Sequence, residues 1–235
     1  MKIAVVTGGS QGLGKEIAKQ LVQQNYYVIL LARTEKYLKQ TTAEIGSNSS
    51  YFICDITNSK QIKTVFAQIK KKHSHIDLLV NNAGVWTDDS LQKGNPEKMY
   101  QAIQTNLLGH IHVTEACLGL LKTNKTTRIL NVISTSAVIG IPSGDNRNWK
   151  TYGASKWGFK GYSNALRESL RNTKIQVIQF FPGGFESNLY ERAKREKPHN
   201  QPWMMKTKDV AEIAVFSITR PDDVYIEELV ASKSI

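Results

Sequence analysis

Ile3-Ala4-Val5-Val6-Thr7-Gly8-Gly9-Ser10-Gln11-Gly12-Leu13-Gly14 is the stretch on which the architecture depends. Its first four residues are apolar with no polar alternation, the pattern of a central parallel strand covered on both faces. Beyond the glycines, Leu13, Ile17, Ala18, Leu21 and Val22 recur at helical spacing. A buried strand, a glycine-rich turn and an amphipathic helix, in that order, make a site for phosphate. Glycines let the backbone approach the ligand, and the free N–H groups of the helix N-terminus favour negative charge. Gly8, Gly12 and Gly14 give T-G-x-x-x-G-x-G, a spacing distinct from the common G-x-G-x-x-G. Ser10, Gln11 and Leu13 stand in the same turn and join the glycines as candidate ligand contacts.

The strand–helix alternation continues outward from there. Residues 27–32 read as a second strand, ending at Arg33-Thr34. In dinucleotide folds an acid at this point holds the adenosine ribose 2′-OH, whereas an arginine accommodates a 2′-phosphate. No acid ends this strand; Arg33 does. Residues 35–45 read as a helix and 51–54 as a third strand, with Asp55 just beyond it, placed to accept a hydrogen bond from an adenine amino group. Ile62, Val65, Phe66 and Ile69 stripe the next helix, whose end carries Lys70-Lys71-Lys72, a position that suits cations. A fourth strand, 76–80, runs into Asn81-Asn82-Ala83-Gly84. This alternation predicts an α/β fold with a doubly wound, mostly parallel sheet, helices on both faces, and one Rossmann-like domain over 1–235.

Further on, Tyr152-Gly153-Ala154-Ser155-Lys156 opens a helix whose apolar residues are Trp157, Phe159, Leu166 and Leu170. Positions i and i+4 share a helix face, so a phenol and an ammonium can face one cleft. A free tyrosine has a pKa near ~10. A cation held close favours the phenolate and brings that value towards a working range for acid–base chemistry.

Together the T-G-x-x-x-G-x-G turn, the aspartate after strand three, N-N-A-G after strand four and the Y-G-A-S-K run resemble the short-chain dehydrogenase/reductase family, in the family's order and over essentially the whole chain. The resemblance implies a catalytic set of Asn106, Ser134, Tyr152 and Lys156. Asn106 falls within an expected long helix, 96–121, and anchors a proton-relay water near the lysine. Ser134 follows strand five, 128–133, and is chosen over Ser136 because it keeps the family's spacing from Asn131. Here Ser134-Thr135-Ser136-Ala137 departs from the commoner S-S-x-A-G, and the loop 141–150, with Pro142, Gly144, Asp145 and Trp149, is longer than usual. The resemblance places Asn82, Ala83 and Gly84 against the cofactor. Pro182 and Gly183, after strand six (175–181), lie beside the nicotinamide, with Ser187 where a threonine is usual. Residues 185–206 form a candidate substrate loop, with Tyr190, Trp203, Met204 and Met205 among charges. A helix at 210–218 and a last strand at 224–230 complete the reading.

The function expected is interconversion of a carbonyl and an alcohol with NADP(H) as cofactor, Arg33 favouring the phosphorylated form. The alternative is a non-catalytic NADP(H)-binding sensor on the same fold, since fold does not fix function. The resemblance also implies a homodimer or homotetramer formed through the helices carrying Asn106 and Tyr152. The chain of 235 residues has Lys+Arg 31 and Asp+Glu 20, a net charge of +11. Such a surface attracts polyanions, but the lysines are scattered apart from Lys70–Lys72 and the run 192–197. No nucleic-acid module is recognisable and no nucleic acid is expected as partner. No apolar run is long enough for a membrane span, Cys54 and Cys117 stand in no metal-ligand spacing, and no metal is expected. A cytoplasmic location with reduced, buried thiols is the expectation.

Overall fold

Strand β1 (Lys2–Thr7) shows why the opening run is apolar throughout: Ala4 and Val6 pack on one face of a sheet and Val5 on the other, all fully buried. The computed structural model describes residues 1–87, 95–121, 124–138, 150–189 and 201–234. The strands that follow are β2 (Tyr26–Ala32), β3 (Ser49–Ile53), β4 (Leu78–Asn81), β5 (Thr127–Val132), β6 (Ile175–Pro182) and β7 (Glu228–Ala231). They form one seven-stranded sheet in the order β3-β2-β1-β4-β5-β6-β7, with every pair parallel.

The described helices are α1 (Gly12–Gln23), α2 (Glu35–Ile45), α3 (Ser59–Lys72), α4 (Pro96–Ile103), α5 (His110–Leu118), α6 (Lys150–Ser169) and α7 (Thr207–Ile218). Ile17 and Leu21 of α1, Leu38 of α2 and Val210, Ala214 and Ile218 of α7 pack with Val6, Leu30 and Val80 on one face. On the opposite face Ile62, Phe66 and Ile69 of α3, Val113 and Cys117 of α5 and Leu166 of α6 pack with Val5, Ile29 and Leu79. The doubly wound Rossmann-like fold is therefore present. Its strand order reverses at β1, which lies between β2 and β4, and a crevice opens there at the carboxyl ends of the strands.

Three elements differ from their sequence reading. The expected long helix at 96–121 is α4, then a π-helical segment Gln104–Gly109, then α5. Six residues are too few for apolar spacing to reveal such a turn, which tends to occur at functional sites. The segment carries Asn106, and Gly109 at its end packs so closely that an added Cβ would lie 2.9 Å from Ile56. The last strand starts at Glu228 rather than near 224, because Tyr225 bonds to β6 through its side chain. Its hydroxyl accepts from Val177 N and donates to Val177 O, each at 2.9 Å. Trp157, read as part of the apolar stripe of α6, is 41% exposed and carries the Lys160 ammonium over its ring.

Lys70–Lys72 form the last turn of α3, whose N-terminus is capped by Asn58. Cys54 and Cys117 are buried free thiols, and burial raises the Cys54 thiol to about 11. Among the described residues no helix is long and apolar enough to cross a membrane, and no three metal-ligating side chains cluster. The loop 141–149, Tyr190 and the basic run 192–197 lie outside the described residues.

Candidate active site

The site grows from the ends of β1 and β4. Thr7, the last residue of β1, is fully buried, and its Oγ1 accepts from Asn82 N (2.9 Å) and Ala83 N (3.1 Å) while donating to Val80 O (3.2 Å). Asn82 Nδ2 returns a bond to Thr7 O at 3.0 Å. The glycine turn is packed onto this clamp. Gly8 has φ +66, a left-handed conformation that favours glycine, and a Cβ there would lie 2.9 Å from Ala83 Cα. At Gly14 a Cβ would lie 2.4 Å from Asn82 Nδ2 and 2.5 Å from Gly8 O. Gly14 thus packs the turn together and does not line the hollow, whereas Gly12, φ +55, has nothing within 4 Å of an added Cβ. The Ser10 carbonyl accepts from Thr41 Oγ1 and ties the turn to α2.

Two hollows meet along this turn. One is lined by Gly8, Gln11, Gly12, Leu13, Asn82, Ala83 and Gly84, and by Ser134, Tyr152, Lys156, Pro182 and Gly183. The other is lined by Ser10, Arg33, Tyr37 and Asp55, and shares Gly8, Gln11, Ala83, Gly84 and Val85 with the first. The two make one trough from Arg33 to Tyr152.

Most of the candidate residues from the sequence therefore come together, with different degrees of freedom. Arg33 is exposed and makes no ion pair or hydrogen bond among the described residues. Asp55 Oδ1 is engaged by Thr57 N (2.9 Å) and Thr57 Oγ1 (2.8 Å). Asn106 does not line the hollow: its Oδ1 accepts from Val85 N, and its Nδ2 donates to Val85 O and Ser155 Oγ. Both amide hydrogens are used, so the side chain fixes the turn after β4.

Ser134 lines the cleft and its Oγ accepts from Ser136 N at 3.1 Å, which leaves its own hydrogen to donate elsewhere. Ser136 Oγ is buried, does not line the cleft, and has no partner among the described residues. Lys156 is buried, and its Nζ donates to Val132 O at 3.1 Å and lies 5.8 Å from the centre of the Tyr152 ring. Burial pushes this ammonium down to about 8. Sequence reading gave no role to Thr7, Val85 or His110, and placed Trp203 in the candidate substrate loop. Trp203 packs against Gly184, where an added Cβ would meet its ring at 2.3 Å. Only the threonine had a local signal, standing next to the glycines.

An open parallel sheet with a glycine turn at its switch point, and a tyrosine–lysine pair at the same crevice, defines a dinucleotide-dependent class of protein. The chain belongs to the short chain dehydrogenase family, whose family model matches residues 2–198. It is 31% identical over 221 residues to 3-oxoacyl-acyl-carrier-protein reductase FabG of Haemophilus influenzae, covering 92% of this chain and 89% of that protein. Serine dehydrogenase in its closed form, complexed with NADP+, superposes with a TM-score of 0.88 at 27% identity, over 98% of this chain and 94% of that one. An actinorhodin polyketide ketoreductase variant with NADPH gives a TM-score of 0.84 at 26% identity, over 97% and 95% of the two chains. The protein is thus an oxidoreductase of the kind that works with a nicotinamide cofactor. The residues present suit that group. Helix α1 begins without a side-chain cap or an acid in its first turn, so its N-terminus is electropositive where Gln11, Gly12 and Leu13 line the cleft.

Proposed function

We propose that the protein is an NADP(H)-dependent oxidoreductase that interconverts a ketone or aldehyde and its alcohol. One observation carries the reading: Ser134, Tyr152 and Lys156 line a single cleft with Asn82, Pro182 and Gly183. Along the trough that joins this cleft to the second hollow, Gly8, Ser10, Gln11, Gly12 and Leu13 receive the phosphates, Arg33 the 2′-phosphate and Asp55 the adenine end, with Gly14 supporting the turn. A reduced nicotinamide held beside Pro182 and Gly183 would supply the hydride that the carbonyl carbon takes up. Ser134 donates to the carbonyl oxygen and orients it. Tyr152 gives that oxygen its proton, so that the C–O double bond becomes an alcohol and the phenol a phenolate. Lys156 supplies the positive charge that favours the phenolate and holds the ribose beside the nicotinamide. Asn106, its side chain committed to Val85, serves proton delivery through its main chain and through the turn it fixes.

The phosphorylated cofactor is supported by Arg33, by the missing acid at the end of β2, and by the NADP+ and NADPH in the two solved relatives. The substrate class to test first is the 3-oxoacyl thioesters for which the Haemophilus influenzae relative is named, beside simple ketones and aldehydes. Oxidation of NADPH, followed as loss of its absorbance with each carbonyl class, tests the reading. Turnover with at least one class is expected. Tight NADPH binding without turnover across all three would favour the sensor instead.

A further inference from the structure

His110 opens α5 immediately after the π-helical segment, and it is fully buried. Its ring stacks on Phe159, with centroids 4.7 Å apart and planes 17° from parallel. Its Nε2 lies 2.7 Å from Ala83 O. A carbonyl only accepts, so Nε2 carries the hydrogen and Nδ1 is an acceptor without a partner among the described residues. Burial, together with the nearby Lys156 ammonium, pushes the imidazole down to about 3, so the ring stays neutral at all working pH values, and the bond to Ala83 O sets its tautomer. A buried imidazole costs more to desolvate than an apolar ring of similar size, and the short bond to Ala83 is what offsets that cost.

The bond lands on a turn that is gripped at two other points. Thr7 holds the N–H groups of Asn82 and Ala83, and Asn106 holds both the N–H and the carbonyl of Val85. His110 takes the Ala83 carbonyl between them. Ala83, Gly84 and Val85 line both halves of the trough. We propose that His110 is a positioning residue: its Nε2–H sets the carbonyl of Ala83, and so aims the Ala83-Gly84-Val85 backbone at the dinucleotide. This rests on the cofactor reading above and assigns a part of that site to a residue outside it.

The test compares three substitutions in the full chain. His110→Phe keeps a stacking ring and loses the donor. His110→Gln places an amide N–H about where Nε2 stood, and His110→Met matches glutamine in shape without the donor. Backbone hydrogen exchange at Ala83 and Val85, whose N–H groups Thr7 and Asn106 hold, measured without nucleotide, should quicken about tenfold in the Phe and Met variants, the effect of one lost hydrogen bond. Exchange in β1 should stay unchanged. The Kd for NADPH should rise about tenfold in the same two variants, while the Gln variant stays within threefold of the parent. Should His110→Phe fail to fold, the Gln and Met pair still isolates the donor. Equal exchange and equal Kd in Gln and Met variants would overturn the proposal, as would exchange that quickens equally in β1, the mark of a merely structural ring. A parent protein that does not bind NADPH would sink the cofactor reading alone, because the exchange comparison decides His110 without it.

Discussion

Replacing Lys156 with methionine should stabilise the nucleotide-free protein at neutral pH while abolishing most of its turnover. Lys156 is only 4% exposed, and burial takes its ammonium from 10.5 down to about 8. At about 1.4 kcal/mol per pKa unit, holding that charge inside costs about 3 kcal/mol. The sign follows from proton binding. Between about pH 8 and 10.5 the unfolded lysine keeps its proton and the folded one has lost it, so the penalty fades as pH rises through that window. Below pH 8 it is present in full. Methionine retains the packing of the stem without the charge. Losing the bond to Val132 O takes back about 1 kcal/mol, leaving a net gain of about 2 kcal/mol, or ~4–8 °C in Tm for a chain of this size. Thermal unfolding of both proteins from pH 7 to 10.5 measures it, and taking their difference cancels the other groups that titrate in this range. The gap should be widest at pH 7 and close above pH 8. A methionine variant less stable than the parent at pH 7, or a gap that stays flat across the window, would show that the buried ammonium costs the fold nothing.

Three further outcomes are expected. Ser134→Ala should lower kcat by roughly a hundredfold or more, the scale of a lost oxyanion donor, whereas Ser136→Ala, outside the cleft, should act mildly; the reverse ranking moves the role to Ser136. NADPH should be preferred over NADH by about two orders of magnitude through the charge-assisted bonds of Arg33, and Arg33→Asp should erase or invert that ranking, so equal kcat/KM for both cofactors in the parent contradicts it. Gly14→Ala forces a methyl into backbone and amide atoms of the turn, which should cost ~1–3 kcal/mol or more; a variant with unchanged Tm and unchanged NADPH affinity would show that the turn gives way freely.

The fold was legible because its signals are local. Val5 and Val6 can both be apolar only in a strand covered on two faces, and each strand was followed by a stripe of helical spacing. The cleft was legible where a particular backbone or charge is called for: Gly8 and Gly12 at positive φ, Arg33 in place of an acid at the end of β2, Tyr152 and Lys156 one helical turn apart. What escaped depends on contacts between distant segments. Gly14 read as a ligand contact but is a packing glycine, because Asn82 comes from 68 residues away to meet it. Asn106 read as a helical residue near the lysine, yet its amide is spent on Val85 and its helix is widened there. His110 has no sequence signal at all; a histidine after a glycine shows neither its burial nor the carbonyl it holds.

The proton-passing role proposed for Tyr152, in a reaction whose hydride comes from a bound nicotinamide, rests on a single hydroxyl. Tyr152→Phe removes one hydroxyl and keeps the ring. With any accepted carbonyl substrate, kcat should fall to below about one per cent of the parent, in line with a lost general acid, while NADPH binds with a nearly unchanged Kd in a direct titration. A phenylalanine variant that keeps more than a few per cent of kcat, or that loses activity only because it no longer binds NADPH, would contradict the account.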